Sequence, residues 1–295
     1  MKESFKDSFK AIGTTWFIDF KHTDSLSAVG IFDSVKNRIE VFEQQYSRFR
    51  KDSLVSQIAA REGVYILPND AEPMFTMYKK LYDITGGKMT PLIGQTLVDA
   101  GYDAEYSLTP KPEIRKIESW DSSIRFTQAN GINTLIAHKS TQLDFGALGK
   151  GYIVDIVSEL LLVHGITDFT VEAGGDMRYQ NTEHEVLRIG LEHPLDAKQV
   201  IGVAELTHGS ICGSSGNRRA WSTYHHIINP DTLISPREIS AVWVFAKDTI
   251  TADALTTALF FVDVNILNAH FTYEYVIMYA DGSAVISQGF PGSLF

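Results

Sequence analysis

The segment at residues 143–176 limits the fold and function of this chain more than any other, because it joins two glycine-rich turns through a helix and a strand. The first turn, at residues 146–151, has the sequence GALGKG, and the second, at residues 173–176, has the sequence AGGD. Glycines allow a backbone to approach a ligand closely, and the helix predicted to begin near Lys150 directs its unpaired N–H groups toward whatever precedes it. Proteins bind phosphate groups in this way, so the segment indicates a phosphate or other anion site.

The spacing of the first turn does not match a P-loop. A P-loop has four residues between its glycines and a Ser or Thr after the lysine. Here two residues separate Gly146 from Gly149, and Gly151 follows Lys150. A Walker-type NTPase is therefore disfavoured. An ordinary glycine-rich helix entry and a helix N-terminus that binds an anionic or carbonyl-rich ligand both remain open.

The composition excludes several classes of function. The chain has 295 residues, of which 44% are hydrophobic, and a formal net charge of −10. Broad nucleic-acid binding and attachment to anionic lipid are disfavoured, because both depend on a cationic surface. Cys212 is the one cysteine of the chain, so neither a disulfide framework nor a cysteine-rich zinc site can form, and this residue is predicted to be a small buried hydrophobe. A catalytic metal would need mainly oxygen ligands, which favours Mg²⁺.

The hydrophobic periodicity predicts an α+β fold with a largely antiparallel sheet, because helices and strands interleave without a strict βαβ rhythm. The turn Asp281-Gly282 is the strongest hairpin signal, between strands at 273–279 and 283–287. Helices are predicted at 25–49, 68–87, 91–100, 150–165 and 251–262. Further strands are predicted at 14–20, 124–127, 133–138, 169–172, 187–191, 200–206, 226–228 and 240–246. The apolar stripe of the first helix is predicted to be Leu26, Val29, Phe32, Val35, Ile39 and Phe42.

No apolar run is long enough to cross a membrane, since LLLVHGI and ALFFVDV fall well short of the roughly 20 residues required. The N-terminal sequence MKESFKDSFKAIG lacks the apolar core of a signal peptide and a cysteine for lipid attachment. The chain is therefore expected to be cytoplasmic. An exported lipoprotein whose leader has been removed is also compatible with this sequence.

Two oxygen-bearing side chains in the segment TADALTTAL are candidate metal ligands. Asp253 and Thr257 are four residues apart, so both face the same side of the predicted helix. A carboxylate and a hydroxyl one turn apart can bind Mg²⁺ when a backbone carbonyl and ligand oxygens complete the shell. The helix dipole alone also explains an Asp in a first helical turn, and from the spacing this second explanation is favoured.

The segment YHHIINP provides a candidate base. His225 and His226 are adjacent on a predicted strand, so their side chains point to opposite faces, and one could pack while the other faces a site. Histidine is the natural base near neutral pH, although a single histidine is more often structural. The motif HEXXH is absent, which excludes a zincin. Phe49 could stack on a flat ligand, but core packing is the favoured explanation for it.

Taken together, these segments resemble the ApbE family of FAD:protein FMN transferases. The matching segments follow the family's order along nearly the whole chain: AIGTTW, SRFRKDS, TGGKMTPLIG, LDFGALGKGYIVD, VEAGGD, SGNRRAW, YHHIINPDT and TADALTTAL. The resemblance implies a single ApbE-like domain of α+β fold over residues 1–295. It also implies a Mg²⁺-dependent enzyme that transfers FMN from FAD to a Ser or Thr hydroxyl of an acceptor protein and releases AMP.

The resemblance also implies roles for individual residues. Asp253, Thr257 and the backbone carbonyl of Gly149 would bind the metal, and His226 would be the base for the acceptor hydroxyl. The residues that would contact FAD are Ile12, Phe49, Lys88, Met89, Thr90, Gly146, Tyr152 and Ile227. The implied partners are FAD and an acceptor flavoprotein with a Ser/Thr flavinylation motif, with no nucleic acid.

The chain departs from the family pattern at particular positions. Ala59 stands where the family often has Asn, Thr90 where it often has Asp, and Leu233 where it has Gly. The first two positions line the flavin site in the family. These departures keep two alternatives open: a Mg²⁺-dependent FAD pyrophosphatase, in which water replaces the acceptor hydroxyl, and an FAD-binding protein without turnover.

Overall fold

The elements of the fold are taken from a computed structural model that describes residues 3–295. The helices are α1 (Ser25–Tyr46), α2 (Leu54–Ala60), α3 (Ala71–Ile84), α4 (Gly94–Asp99), α5 (Trp120–Ser123), α6 (Gly149–Val163), α7 (Thr249–Ala258) and α8 (Val264–Asn268), with a 3-10 turn at Pro91–Ile93. The strands are β1 (Glu3–Ala11), β2 (Thr14–His22), β3 (Gly63–Leu67), β4 (Ile124–Ala129), β5 (Ile132–Ala137), β6 (Phe169–Ala173), β7 (Asp176–Gln180), β8 (Leu187–His193), β9 (Asp196–Leu206), β10 (His208–Ser215), β11 (Ala220–Trp221), β12 (Tyr224–His225), β13 (Ile239–Ala246), β14 (Glu274–Tyr279), β15 (Ala284–Ile286) and β16 (Gly292–Leu294).

The largest sheet has eight strands in the order β1-β2-β6-β7-β10-β13-β14-β15. Two three-stranded sheets have the orders β16-β9-β8 and β3-β5-β4, and β11 pairs with β12. Within residues 3–295 every strand pair is antiparallel. The predicted α+β class with antiparallel sheet is therefore confirmed. The predicted hairpin is also present, since β14 and β15 pair across a turn in which Gly282 has a φ of +87°.

The eight-stranded sheet is covered on both faces. On one face, Trp16, Ile18 and Phe20 of β2 belong to the main hydrophobic core, which also contains residues of α1, α3, α6 and α7. Adjacent residues of a strand point to opposite faces, and in β10 Cys212 belongs to this core whereas Ile211 belongs to a second cluster with residues of β8 and β9. The β16-β9-β8 sheet therefore packs on the face opposite the helices. Cys212 is fully buried, as predicted.

The buried stripe of α1 differs from the prediction at its start. Leu26 and Val29 are 83% and 59% exposed, whereas the other predicted members of the stripe are buried. Ala28 and Ile31 take the buried positions instead. Each of them lies one helical turn before a buried member of the stripe, so the observed stripe follows the helical period more closely than the predicted one.

Several boundaries also differ from the predictions. The first helix ends at Tyr46 rather than at Phe49, and the predicted helix at 91–100 is a 3-10 turn followed by α4. The predicted strand at 226–228 is wrong, because the strand is β12 and the chain after His225 is irregular. The strands β1 and β10 were not predicted from the sequence. No helix among residues 3–295 has the length and apolar character needed to span a bilayer.

Helices α6 and α7 are in close contact. A Cβ atom on Gly151 in α6 would lie 2.6 Å from the Cβ of Asp253 in α7, so only glycine fits there. One turn further along α6, the Asp155 carboxylate accepts hydrogen bonds from the N–H groups of Thr249 (2.9 Å) and Ile250 (2.8 Å) at the start of α7. A carboxylate at a helix N-terminus satisfies unpaired N–H groups and interacts favourably with the helix dipole. The glycine turn and the segment TADALTTAL are thereby held together.

We expect Asp155→Ala to lower the free energy of unfolding by about 3 kcal/mol, because it leaves two buried N–H groups and the Arg178 guanidinium without their shared acceptor. Urea denaturation followed by circular dichroism measures the change. Glu159→Ala is the control, since Glu159 lies 3.5 Å from Arg178 on the same helix but is exposed. Equal losses in the two variants would contradict this role of Asp155.

Candidate active site

A cleft with an empty volume of about 1010 Å³, part of it open to solvent, lies beside α6, α7 and the end of β10. The cleft brings together most of the predicted site residues from segments that are distant in the sequence. Those that line it are Phe49, Lys88, Met89, Thr90, Gly146, His226, Ile227, Asp253 and Thr257.

Ile12, Gly149 and Tyr152 are not among the residues that line the cleft. Ile12 lies in the turn between β1 and β2, with a φ of +50°, and lines a separate surface cavity. Tyr152 is buried, and its hydroxyl donates to the carbonyl oxygen of Asp70 at 2.9 Å. Gly149 is the first residue of α6, directly before Lys150, which does line the cleft.

Lys150, Asp176 and Asp253 form a charged cluster that borders the cleft. The Lys150 ammonium contacts the Asp176 carboxylate and lies 3.7 Å from Oδ1 of Asp253, whose Oδ2 accepts the N–H of Gly151 at 2.8 Å. Burial would lower the pKa of Lys150, but the two carboxylates outweigh burial and raise it. Burial, and then the nearby Asp176 carboxylate, raise the pKa of Asp253. Two carboxylates thus share one ammonium.

The oxygen donors at this position suit a hard metal ion. Asp253 and Thr257 both line the cleft, so they face the same side of α7 as predicted. No group of three or more His, Cys, Asp or Glu side chains within residues 3–295 has the arrangement of a metal site. A cation here would therefore take a carboxylate, a hydroxyl, a backbone carbonyl and ligand oxygens. This set fits Mg²⁺, which commonly uses one or two carboxylates together with phosphate oxygens.

The two adjacent histidines have different environments, as predicted. His225 is buried; its Nε2 donates to the carbonyl oxygen of Pro236 at 2.8 Å and its Nδ1 accepts the N–H of Ile227 at 3.3 Å. His226 lines the cleft, and its buried Nδ1 has no hydrogen-bond partner within residues 3–295. Burial, and then the Arg219 guanidinium, lower the pKa of His226 to about 3. His226 is therefore neutral near pH 7, and one of its ring nitrogens is unprotonated.

Arg48 organises the aromatic wall of the cleft. It is 7% exposed, pairs with the Asp144 carboxylate and donates to the carbonyl oxygen of Tyr102 at 2.8 Å. Its guanidinium lies 4.2 Å from the centre of the Phe49 ring, within the range of a cation–π interaction. Oδ1 of Asp144 accepts the N–H of Gly146 at 2.7 Å. Arg48 and Asp144 thus fix both Phe49 and the first glycine turn, and sequence analysis had assigned a role to neither.

The only sequence signals for Arg48 and Asp144 were their positions, one residue before Phe49 and two before Gly146. A charged side chain in such a position is more often exposed than buried, and the sequence does not show that the two residues meet. Their pairing depends on contacts between segments 96 residues apart.

The fold is shared with solved structures of ApbE proteins. The flavin transferase ApbE from Vibrio cholerae aligns with a TM-score of 0.79 over 98% of this chain and 99% of that chain, at 21% identity. The ApbE protein from Thermotoga maritima aligns with a TM-score of 0.80 over 97% of each chain, also at 21% identity. At this level of identity, the alignments show a common fold.

The sequence matches the model of the ApbE family over residues 12–274, and the chain therefore belongs to this family. A relative from Vibrio cholerae named FAD:protein FMN transferase is 27% identical over 273 residues, which cover 84% of this chain and 78% of that protein. The resemblance drawn from the sequence motifs is thus confirmed.

The neutral state of His226 predicts a pH dependence of stability. In the folded chain the pKa of His226 is about 3, below its ordinary value of 6.5. Between these pH values the unfolded chain therefore binds a proton at His226 more tightly than the folded chain does. The free energy of unfolding consequently falls as the pH drops. From pH 7 to pH 5 this group should remove about 1 to 2 kcal/mol from the free energy of unfolding. Urea titrations of the wild type and of His226→Gln at pH 5, 6 and 7 measure the effect.

His226→Gln should flatten this slope, whereas His270→Gln, at an exposed position, should keep it. If the free energy of unfolding of His226→Gln changes with pH as steeply as that of the wild type, the His226 imidazole is not held neutral by its surroundings.

Proposed function

We propose that this chain transfers FMN from FAD to a Ser or Thr hydroxyl of an acceptor protein and releases AMP. The main support is the cleft, which combines a neutral histidine, the Asp253–Thr257 side of α7, a glycine turn at a helix N-terminus and the aromatic rings of Phe49 and Tyr102. Relatives named FAD:protein FMN transferase support the choice of substrate. FAD carries a flat ring system and an anionic pyrophosphate, and the cleft has groups suited to both.

The cleft has cationic and dipolar groups for the pyrophosphate. The N-terminus of α6, which begins at Gly149 beside the cleft-lining residues Gly146 and Lys150, places the positive end of the helix dipole at the cleft. Lys88, Arg218 and Arg219 line the same cleft. These charges are local exceptions in a chain with a net charge of −10. They support the binding of a dianionic ligand at this one position.

Phe49 supports the binding of a flat ring. Its ring stacks on that of Tyr106 with centroids 5.3 Å apart and planes 10° apart. Arg48 lies against the Phe49 ring as well, so the orientation of the ring is fixed before a ligand binds. A preformed aromatic surface reduces the entropy lost when a flavin or adenine ring binds.

The transfer forms one bond and breaks one bond. The acceptor hydroxyl oxygen attacks the phosphorus of the FMN half, and AMP leaves with the electron pair of the broken pyrophosphate P–O bond. The unprotonated ring nitrogen of His226 accepts the hydroxyl proton. Phosphoryl transfer depends mainly on positioning and on stabilisation of charge. Asp253, Thr257 and the carbonyl of Gly149 would hold Mg²⁺, which would supply stabilisation of the negative charge on the pyrophosphate.

A Mg²⁺-dependent FAD pyrophosphatase would use the same cleft with water in place of the acceptor hydroxyl. The departures from the family pattern that motivate this alternative carry less weight in the folded chain. Ala59 lies in α2 and is not among the residues that line the cleft. Thr90 lines the cleft, but its hydroxyl accepts the N–H of Leu92 at 3.2 Å and so caps the 3-10 turn. The transferase is therefore favoured.

Intact-protein mass spectrometry tests the proposal. After incubation with FAD, Mg²⁺ and an FMN-carrying domain expressed without its flavin, the acceptor should gain the mass of one FMN group, and one AMP should appear for each modified acceptor. EDTA should prevent the gain. Free FMN and AMP with an unmodified acceptor would identify the pyrophosphatase, and intact FAD that stays bound would identify a binding protein.

Asp253→Ala should reduce transfer by about 100-fold or more, because it removes the carboxylate proposed to hold the metal. Transfer is measured as initial rate of FMN incorporation at saturating FAD. Asp248→Ala is the matched control, since Asp248 caps the same helix through the N–H of Thr251 at 2.9 Å but does not line the cleft. A comparable loss in both variants would indicate damage to α7 rather than loss of a metal ligand.

His226→Ala should lower the transfer rate by about 100-fold or more, because general-base catalysis contributes on that scale. Its dissociation constant for FAD, measured by quenching of flavin fluorescence, should stay within about twofold of the wild-type value. His270→Ala should change neither quantity. If His226→Ala weakens FAD binding as much as it slows transfer, His226 is a binding residue and not the base.

A further inference from the structure

A second cleft, with an empty volume of about 770 Å³, adjoins the first. It lies between the eight-stranded sheet and strand β8. Met177 and Trp243 line it from the sheet, and Ile189 lines it from β8. It therefore opens on the sheet face opposite the helices. The residues that line both clefts are Gly213, Ser214, Ser215 and Arg218.

The wall between the two clefts is the end of β10, which has a strand neighbour on one side only. β10 pairs with β13 from Ser210 to Ser215, but its pairing with β7 ends at Ile211. The strand β7 begins only at Asp176, after a turn in which Gly174 and Gly175 have φ values of +60° and +99°. Residues 212–215 therefore have an open edge on the β7 side. An open strand edge can accept a further strand through main-chain hydrogen bonds.

The side chains along this edge alternate between the two clefts. The Ser214 hydroxyl is 2.8 Å from that of Thr256 in α7, so it points to the helix face and the first cleft. Gly213 faces the other way, since a Cβ there would lie 3.1 Å from the Trp243 ring. An added strand would follow the same alternation. One of its side chains would point to the first cleft while the side chains before and after it point to the second.

The open edge lies close to the proposed metal ligands. Thr256, the partner of Ser214, directly precedes Thr257, and its own hydroxyl donates to the carbonyl oxygen of Asp253 at 2.7 Å. Phe49, on the aromatic wall, lines the first cleft but not the second. The two clefts therefore meet along the end of β10, beside the turn of α7 that carries Asp253 and Thr257.

We propose that the acceptor protein binds as an extended segment that pairs with the open edge of β10 and occupies the second cleft. The modified Ser or Thr points into the first cleft, and the residues directly before and after it are apolar and contact Met177, Ile189 and Trp243. This inference rests on the proposed transferase function. With FAD in the first cleft, the attacking hydroxyl needs a separate route to the phosphorus. The second cleft provides this route, because it meets the first at the end of β10.

The expected test result is a selective change in acceptor binding. The substrate for this test is an acceptor domain that the wild type modifies. Ile189→Ala and Trp243→Ala should each raise the KM for this acceptor about 10-fold or more. The KM for FAD and the rate at saturating acceptor should stay within about twofold of the wild-type values. Phe17→Ala is the control, because Phe17 is 51% exposed on the same sheet but lines neither cleft. An unchanged KM for the acceptor in both cleft variants would overturn the proposal.

A cross-linking experiment tests the site without removing packing. Ile189→Cys, labelled with a thiol-reactive photo-cross-linker, should capture the acceptor next to its modified hydroxyl, whereas the labelled Phe17→Cys variant should not. The label is selective because Cys212 is fully buried. Equal capture by both variants would overturn the docking site. If the wild type modifies no acceptor at all, the transferase function fails instead, and the two failures are thus distinguished.

Discussion

The contact between α6 and α7 is the constraint on which the rest of the site depends. Gly151 allows the two helices to meet at the Cβ of Asp253, and Asp155 caps the start of α7. The N-terminus of α6 and the Asp253–Thr257 side of α7 therefore reach the cleft in a fixed relation. The helix end proposed to bind the pyrophosphate and the helix side proposed to bind the metal are therefore neighbours.

The contacts of the charged cluster change the role assigned to Lys150, the lysine in GALGKG. Its position next to glycines suggested direct binding of phosphate, but the Lys150 ammonium is engaged by Asp176 and lies near Asp253. The lysine thus offsets the charge of two buried carboxylates, which would otherwise repel each other and an anionic ligand. Three cationic side chains outside the motif also line the cleft: Lys88, Arg218 and Arg219.

The sequence predicted elements with strong periodicity and segments with specific motifs, and it failed where the structure depends on long-range contacts. The α+β class and the hairpin at Gly282 followed from local pattern. The pairing of Arg48 with Asp144 did not, because it joins distant segments.

Leu233, which replaces a glycine of the family pattern, keeps the left-handed backbone that glycine favours, with a φ of +58°. The conformation is thus retained although the residue has changed.

The capping of α7 by Asp155 has a consequence for the order of folding. The hydrogen bond to Thr249 joins residues 94 positions apart, so the closing of a long loop must precede it. During synthesis from the N-terminus, the glycine turn and α6 emerge well before α7 does. Asp176 and Arg178, which pair with Lys150 and Asp155, are made soon after α6, whereas the contacts of α6 with Thr249 and Asp253 form only when α7 has been made. The cleft is therefore completed as one of the final events of folding.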